Sequence, residues 1–229
     1  MRTKTLLLSA VLSAAGIASS LAQVYSVNAV GYVNVTIPAG SAAAPSFVAA
    51  GNPLNYPDGT NPANTLDNIL PNAPNNTTKV WDFDPVSSTF ALYTKRATGW
   101  SGAAGVNFNP GKGFFIQNDA ATPITLTFVG EVPQGSKTVA YTAGFNLIAS
   151  AFPLSGGLES FLGYPAVNGD KVYQFDPASQ QYALYTRRAT TWSPSEPNIG
   201  ANAAYANVAE GFFLQAVSAG SWTRTFTVN

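Results

Sequence analysis

An all-β fold built by tandem duplication is what this sequence predicts, on three observations. Blocks of sequence recur in the same order, the apolar runs are short and rich in β-branched and aromatic residues, and Gly, Pro, Asn and Asp punctuate them. A charged fraction of only 10%, with 20 Gly and 16 Pro, suits short strands joined by turns rather than long helices. Each copy is expected to be a β-sandwich or barrel-like unit with one short helix.

The chain opens with Arg2 and Lys4, an apolar stretch from Leu6 to Ile17, and the small-residue segment Ala18-Ser19-Ser20-Leu21-Ala22. Basic, then apolar, then small-x-small is the layout of a secretory signal peptide, with cleavage expected after Ala22. The stretch is short of the roughly twenty apolar residues that a membrane anchor needs. Residues 1–22 are thus read as signal peptide, 23–130 as the first repeat and 131–229 as the second. The expected location is secreted: extracellular, periplasmic or cell-surface, with no membrane span after cleavage.

In the first repeat, strands are expected near Tyr32–Ile37, Phe47–Ala50, Lys79–Phe83, Phe90–Thr94, Gly113–Gln117 and Ile124–Val129. In the second they fall near Thr138–Thr142, Asn146–Ser150, Lys171–Phe175, Tyr182–Thr186, Gly211–Ala216 and Thr223–Val228. Leu66–Leu70 and Leu158–Leu162 carry apolar residues at helical spacing, and Asn64-Thr65 can cap the first of these two short helices.

The repeat itself is carried by four aligned blocks. Lys79-Val80-Trp81-Asp82-Phe83-Asp84-Pro85 returns as Lys171-Val172-Tyr173-Gln174-Phe175-Asp176-Pro177, and the segment Ala91 to Trp100 returns as Ala183 to Trp192. Gly113-Phe114-Phe115-Ile116-Gln117 matches Gly211-Phe212-Phe213-Leu214-Gln215, and Leu66–Leu70 matches Leu158–Leu162. A boundary strand occurs three times: before Ile37-Pro38-Ala39-Gly40, before Val132-Pro133-Gln134-Gly135, and at Thr225–Val228. That pattern predicts two sheets that share or exchange a strand, rather than independent beads.

Composition excludes several function classes. Without Arg2 and Lys4, nine basic side chains face eleven acidic ones, and no basic block exists to neutralise phosphates, so a nucleic-acid partner is excluded. Cys is absent, so the core, not a disulfide framework, must hold the fold; 46% hydrophobic residues are enough for that. With no His and no Cys, the His-based and thiol nucleophile systems and ordinary zinc sites are unavailable. Asp82, Asp84, Glu131, Asp176 and Glu210 are of the type that hydrolyses glycosides, but none sits in a setting that reads as a catalytic pair. The catalytic expectation is none, and no cofactor is expected.

Local motifs divide into turns and rings. Phe-Asp-Pro-x-Ser, at Phe83–Ser87 and Phe175–Ser179, reads as a hairpin turn in which Asp bonds the backbone ahead and Pro fixes φ. The alternative is calcium on the pair Asp82 and Asp84; the second copy has Gln174 in place of Asp82, and a metal site is not expected. Asn109-Pro110-Gly111-Lys112-Gly113 leads into a strand, where a phosphate loop would open a helix, and the second copy replaces Lys112 by Glu210. What persists in both copies is a cluster of aromatic and basic residues: Trp81, Tyr93, Lys95, Arg96 and Trp100, then Tyr173, Tyr185, Arg187, Arg188 and Trp192. Trp81 and Phe83 point one way on their strand and Tyr93 points away from Leu92, so some rings face outward or into a second layer. The candidate ligand-binding residues are Trp81, Tyr93, Arg96, Trp100, Tyr173, Tyr185, Arg188 and Trp192, weighed against plain core packing.

Three segments carry a resemblance: Ser26 to Val33, Phe145-Asn146-Leu147-Ile148-Ala149, and Gly111-Lys112-Gly113-Phe114-Phe115-Ile116. Together they resemble uncharacterised secreted bacterial β-repeat proteins over nearly the whole mature chain. The resemblance implies export and repetition and carries no activity. The expected role is a non-enzymatic structural, adhesive or matrix component of the cell envelope or exterior, with a glycan or another envelope protein as partner. The alternative is a carbohydrate-binding module with one aromatic site per repeat.

Overall fold

The computed structural model describes residues 29–56, 64–195 and 204–228; the expected signal peptide lies outside them. The first repeat contains β1 (Val30–Ile37), β2 (Ser46–Gly51), α1 (Leu66–Ile69), β3 (Thr78–Asp84), β4 (Thr89–Arg96), β5 (Gly99–Ser101), β6 (Gly113–Asn118) and β7 (Ile124–Glu131). The second contains β8 (Gly135–Tyr141), β9 (Gly144–Ala149), β10 (Gly156–Gly157), β11 (Lys171–Asp176), β12 (Gln181–Arg188), β13 (Thr191–Ser195), β14 (Tyr205–Ala206), β15 (Gly211–Ala216) and β16 (Gly220–Phe226). A strand stands at every place where the alternation predicts one. Four additional short strands, β5, β10, β13 and β14, were not expected.

The two repeats are built alike. The five-stranded sheet of the first runs β2-β6-β3-β4-β5 and that of the second runs β9-β15-β11-β12-β13, the same order with counterparts substituted. Every pairing within them is antiparallel. Each repeat adds a two-stranded ribbon, β1 with β7 in the first and β8 with β16 in the second. The expectation of a shared or exchanged strand is therefore corrected. The chain supplies two boundary strands per repeat, and each pairs inside its own repeat, because β7 ends at Glu131 and a fresh strand begins at Gly135.

Each repeat buries its own core between sheet and ribbon. In the first, Val80, Phe114, Ile116 and Tyr93 from the sheet meet Ile37, Ile124, Leu126 and Phe128 from the ribbon, with Leu66 and Ile69 closing one end. In the second, Val172, Phe212, Leu214 and Tyr185 meet Val139 and Trp222, with Leu158 and Leu162 in the corresponding place. The period of two explains the partition: Phe114 and Ile116 point inward, so Phe115 between them points to the opposite face.

The expectation of one helix per repeat is also corrected, since α1 is the only helix among the described residues. In the first repeat Thr65 has extended backbone, and its carbonyl accepts from the N–H groups of Asn68 and Ile69. Its counterpart is Gly157, which is drawn into β10 opposite Tyr205. The Gly157 carbonyl takes both the Phe161 and the Leu162 N–H, leaving a single turn.

Candidate functional site at the seam between the repeats

The outer faces of the two five-stranded sheets meet. Phe47, Ala49, Trp81, Phe83 and Phe115 from the first repeat pack with Leu147, Phe175 and Phe213 from the second. Backbones approach closely there in a paired way. The Gly51 N–H donates to the Ala209 carbonyl (2.9 Å), and the N–H of its counterpart Ala149 donates to Gly111 (3.0 Å). Ala50 bridges to Glu210 as Ile148 bridges to Lys112. A side chain has no room at this crossing. A Cβ on Gly113 would lie 2.8 Å from the Ile148 nitrogen, and one on its counterpart Gly211 would lie 2.5 Å from the Ala50 oxygen.

The rings obey the same exchange. Phe83 and Phe213 have centroids 5.2 Å apart, matched by Phe175 and Phe115 at 5.4 Å. Inside the repeats the supporting ring pairs also correspond, Trp81–Phe90 at 6.3 Å with Tyr173–Tyr182 at 6.4 Å and Phe47–Phe115 at 6.5 Å with Phe145–Phe213 at 6.0 Å. The pair Phe115–Phe213, 6.0 Å apart, maps onto itself. Contacts across the seam in which residue i of one repeat meets j of the other, and their counterparts meet with the repeats exchanged, define an isologous interface, as Phe83–Phe213 with Phe175–Phe115 does. The two repeats are thus related by an internal pseudo-two-fold axis that passes near Phe115 and Phe213.

Two kinds of hollow open along this seam, each in two copies. One aromatic pocket of about 330 Å³ is lined by Phe47, Trp81, Phe90, Phe115, Phe175 and Tyr182. Its counterpart, about 410 Å³, is lined by Phe83, Ser88, Phe145, Tyr173, Tyr182 and Phe213. Phe90, Leu92, Phe145 and Tyr182 remain 38–44% exposed along their rim. Trp81 Nε1 donates to Gln117 Oε1 (2.6 Å), and the Tyr173 hydroxyl donates to Gln215 Oε1 (3.2 Å), so the two repeats hold these rings in the same manner. On the second-repeat hairpin, Gln180 pairs with both the N–H and the carbonyl of Phe47, tying that turn to β2.

Two polar clefts lie farther along. The first, about 310 Å³, contains Lys112, whose ammonium lies 2.6 Å from Asp82 Oδ2 and 4.7 Å from the centroid of Phe108. The second, about 430 Å³, contains Glu210, the counterpart of Lys112, and Gln174, the counterpart of Asp82. Glu210 Oε2 accepts from the backbone N–H and the side-chain amide of Asn207 (both 2.8 Å), and Oε1 accepts from Gln174 (3.2 Å). Burial pushes the Glu210 carboxyl above its ordinary range, against the pull of those hydrogen bonds. Burial likewise raises Asp82 despite the ion pair with Lys112.

The residues singled out from sequence are divided by the fold. Trp81 and Tyr173 line the aromatic pockets. Tyr93, Trp100, Tyr185 and Trp192 are at most 7% exposed and belong to the two repeat cores, although Tyr185 also reaches the wall of the second cleft. Arg96 and Arg188 are exposed at the outer end of their sheets, and Arg96 donates to Asn76 Oδ1. The eight therefore do not form one surface in either repeat. Lys95 and Arg187 are buried next to them, and each meets the acid that follows the first Leu of its Leu block: Lys95 lies 3.6 Å from Asp67, and Arg187 makes two 2.7 Å bonds to Glu159. Both indole N–H groups, Trp100 and Trp192, are buried without a hydrogen-bond partner among the described residues.

The turn reading of Phe-Asp-Pro-x-Ser is seen in both copies. Asp84 accepts from the Val86 N–H and the Ser87 hydroxyl, and Asp176 from the Ala178 and Ser179 N–H groups and the Ser179 hydroxyl. These bonds hold both carboxyls below their ordinary range, for Asp84 chiefly through the Val86 N–H and for Asp176 chiefly through the Ser179 hydroxyl. Among the described residues no group of His, Cys, Asp or Glu is arranged to hold a metal, and no helix is long and apolar enough to cross a membrane. Sequence reasoning missed the seam rings Phe47, Phe90, Phe115, Phe145, Phe175, Tyr182 and Phe213; the available signal was that aromatic residues occupy both parities of the same strands. Compared with family models, characterised proteins and solved structures, the chain matches none, so the resemblance to secreted bacterial β-repeat proteins rests on the three segments quoted above.

Proposed function

We propose that this is an exported, non-enzymatic β-repeat protein, built of two sandwich-like units, that acts as a structural or adhesive component of the cell envelope or exterior. One observation carries the reading: the chemistry that recurs in both repeats is spent on the fold. Asp84 and Asp176 close hairpins, Lys95 and Arg187 pair with Asp67 and Glu159, and Trp100 and Trp192 fill cores. The contact surface is the rim of the seam, where Phe90, Leu92, Phe145 and Tyr182 stay exposed together; apolar residues clustered on a surface mark interaction sites.

The second reading is carbohydrate binding with one aromatic site per repeat. It is favoured by the matched pockets in which Trp81 and Tyr173 stand half-exposed with an amide at their polar tips. A glycan array with the mature protein separates the two. A hit lost in both Trp81→Ala and Tyr173→Ala supports the lectin reading. A blank array, with adsorption to envelope preparations that weakens in Phe90→Ser/Tyr182→Ser, supports the structural one. Turnover in a broad glycosidase and esterase screen would overturn both.

A further inference from the structure

The two polar clefts occupy equivalent places and differ in where their cation comes from. In the first, the cation is internal: Lys112 lines the cleft and its ammonium meets Asp82 and the Phe108 ring. In the second, all three partners have changed, to Glu210, Gln174 and, in place of Phe108, Ala206. A lysine and an aromatic ring are gone, a carboxyl has entered, and the cleft is larger, about 430 against 310 Å³. Glu210 takes part in no ion pair among the described residues. Its Oε1 has one long bond, to Gln174, whereas Oε2 has two short ones. The surrounding wall is mixed: Val48, Ala49, Ala183 and Val208 offer apolar surface, and Tyr185 and Tyr205 bring phenol groups. Tyr185 is electrostatically coupled to Glu210, as Tyr93 is to Asp82 in the first repeat.

We propose that the second cleft is a binding site for a primary alkylammonium group on an apolar stem, such as a lysine side chain, with Glu210 receiving from outside the cation that Lys112 supplies from within. An apolar stem with a charged tip matches a wall of aliphatic residues ending in a carboxyl and phenol rings. A half-buried carboxyl with an under-bonded Oε1 gains a charge-assisted partner when an ammonium arrives, which favours a charged tip over an uncharged one of the same shape.

The test is an NMR titration of the mature protein with two amine probes, an acetyl-lysine methylamide and 1,5-diaminopentane, and with the uncharged acetyl-norleucine methylamide. The expected result is saturable shifts of the Gln174, Asn207 and Ala209 amides by an amine probe, with Kd on the order of 1 mM or tighter, and none by the norleucine probe. Binding of the lysine probe alone marks a protein side chain as the natural source, and equal binding of the diamine marks a free amine. The affinity should fall at least ~10-fold in Glu210→Gln, the loss of one charge-assisted contact. It should fall equally in Gln174→Asp/Glu210→Lys, which rebuilds the first-repeat ion pair and fills the cleft. Equal response to amine and norleucine probes, no response to any, or full binding by the double variant would overturn the proposal; the wild-type comparison of charged and uncharged probes decides even where a variant fails to fold.

Discussion

The two repeats share a strand order, a turn motif, an ion pair between a buried base and a more exposed acid, and an indole N–H without a partner among the described residues, yet at two places they part company. Where the first repeat has Thr65 it starts a helix, and where the second has Gly157 it makes a turn. Where the first pairs Lys112 with Asp82, the second pairs Glu210 with Gln174. The second difference is the more instructive. Lys112 and Asp82 are 30 residues apart and each looks, alone, like a feature that the second copy has lost. They touch, so the two differences are one: an ion pair stands in the first repeat where a hydrogen-bonded amide and acid stand in the second. The Phe115–Phe213 contact on the pseudo-two-fold axis joins the same residue type from both repeats, while the clefts beside it differ.

The comparison can be broken at the axis first. Phe115→Ala should cost about 4 kcal/mol and Phe213→Ala, at a less buried ring, about 3, both by urea denaturation, since truncating packed phenylalanines loses transfer and cavity terms. A cost confined to one of them would break the symmetry. Gly113→Ala and Gly211→Ala should each cost about 3 kcal/mol, because the added Cβ meets backbone of the other repeat rather than a movable side chain. Next come the swapped pairs. Lys112→Glu places two carboxyls together and should cost about 2 kcal/mol, most of it recovered by Asp82→Gln/Lys112→Glu, which copies the second repeat; a double variant no better than the single would show that the positions are uncoupled.

The smallest effect is a pH dependence. Glu210 titrates above its ordinary value of 4.5 when folded, so the stability it permits is fully present below that value and is lost as pH rises through the folded pKa. Glu210→Gln has no carboxyl to ionise. Its thermal midpoint should therefore gain on wild type between pH 4 and pH 7, and a gain that shrinks over that range would reverse the sign of the argument.

Much of the fold could be read before the structure because period-two alternation and turn residues are local signals. All twelve expected strands and both Phe-Asp-Pro-x-Ser turns rest on them. The short strands β5 and β13 escaped notice because Gly99-Trp100-Ser101 and Thr191–Ser195 offer too little alternation. The helix expected at Leu158–Leu162 failed at its first position, where Gly157 left the helix for a bridge. Strand sharing failed for a different reason: resemblance among boundary strands says nothing about which strand each will pair with. The candidate binding set mixed two faces of the sheet, since Trp81 and Tyr93 lie on opposite parities of paired strands, with Trp81 opposite Leu92. The seam shows in local pattern only as rings on both parities of the same strands; what the second set of rings packs against is fixed only when the partner sheet is in place.

The repeats meet through a pseudo-two-fold aromatic seam. The most direct measurement is a NOESY spectrum of the mature protein with isotope-labelled phenylalanine, resolving ring contacts of Phe83, Phe115, Phe175 and Phe213. Such a seam gives inter-repeat cross-peaks Phe83–Phe213 and Phe115–Phe175 of matched intensity, comparable with the intra-repeat pair Phe108–Phe114, whose centroids are also 5.2 Å apart. A spectrum with Phe108–Phe114 present and both inter-repeat peaks missing, or with only one of the two, would contradict it.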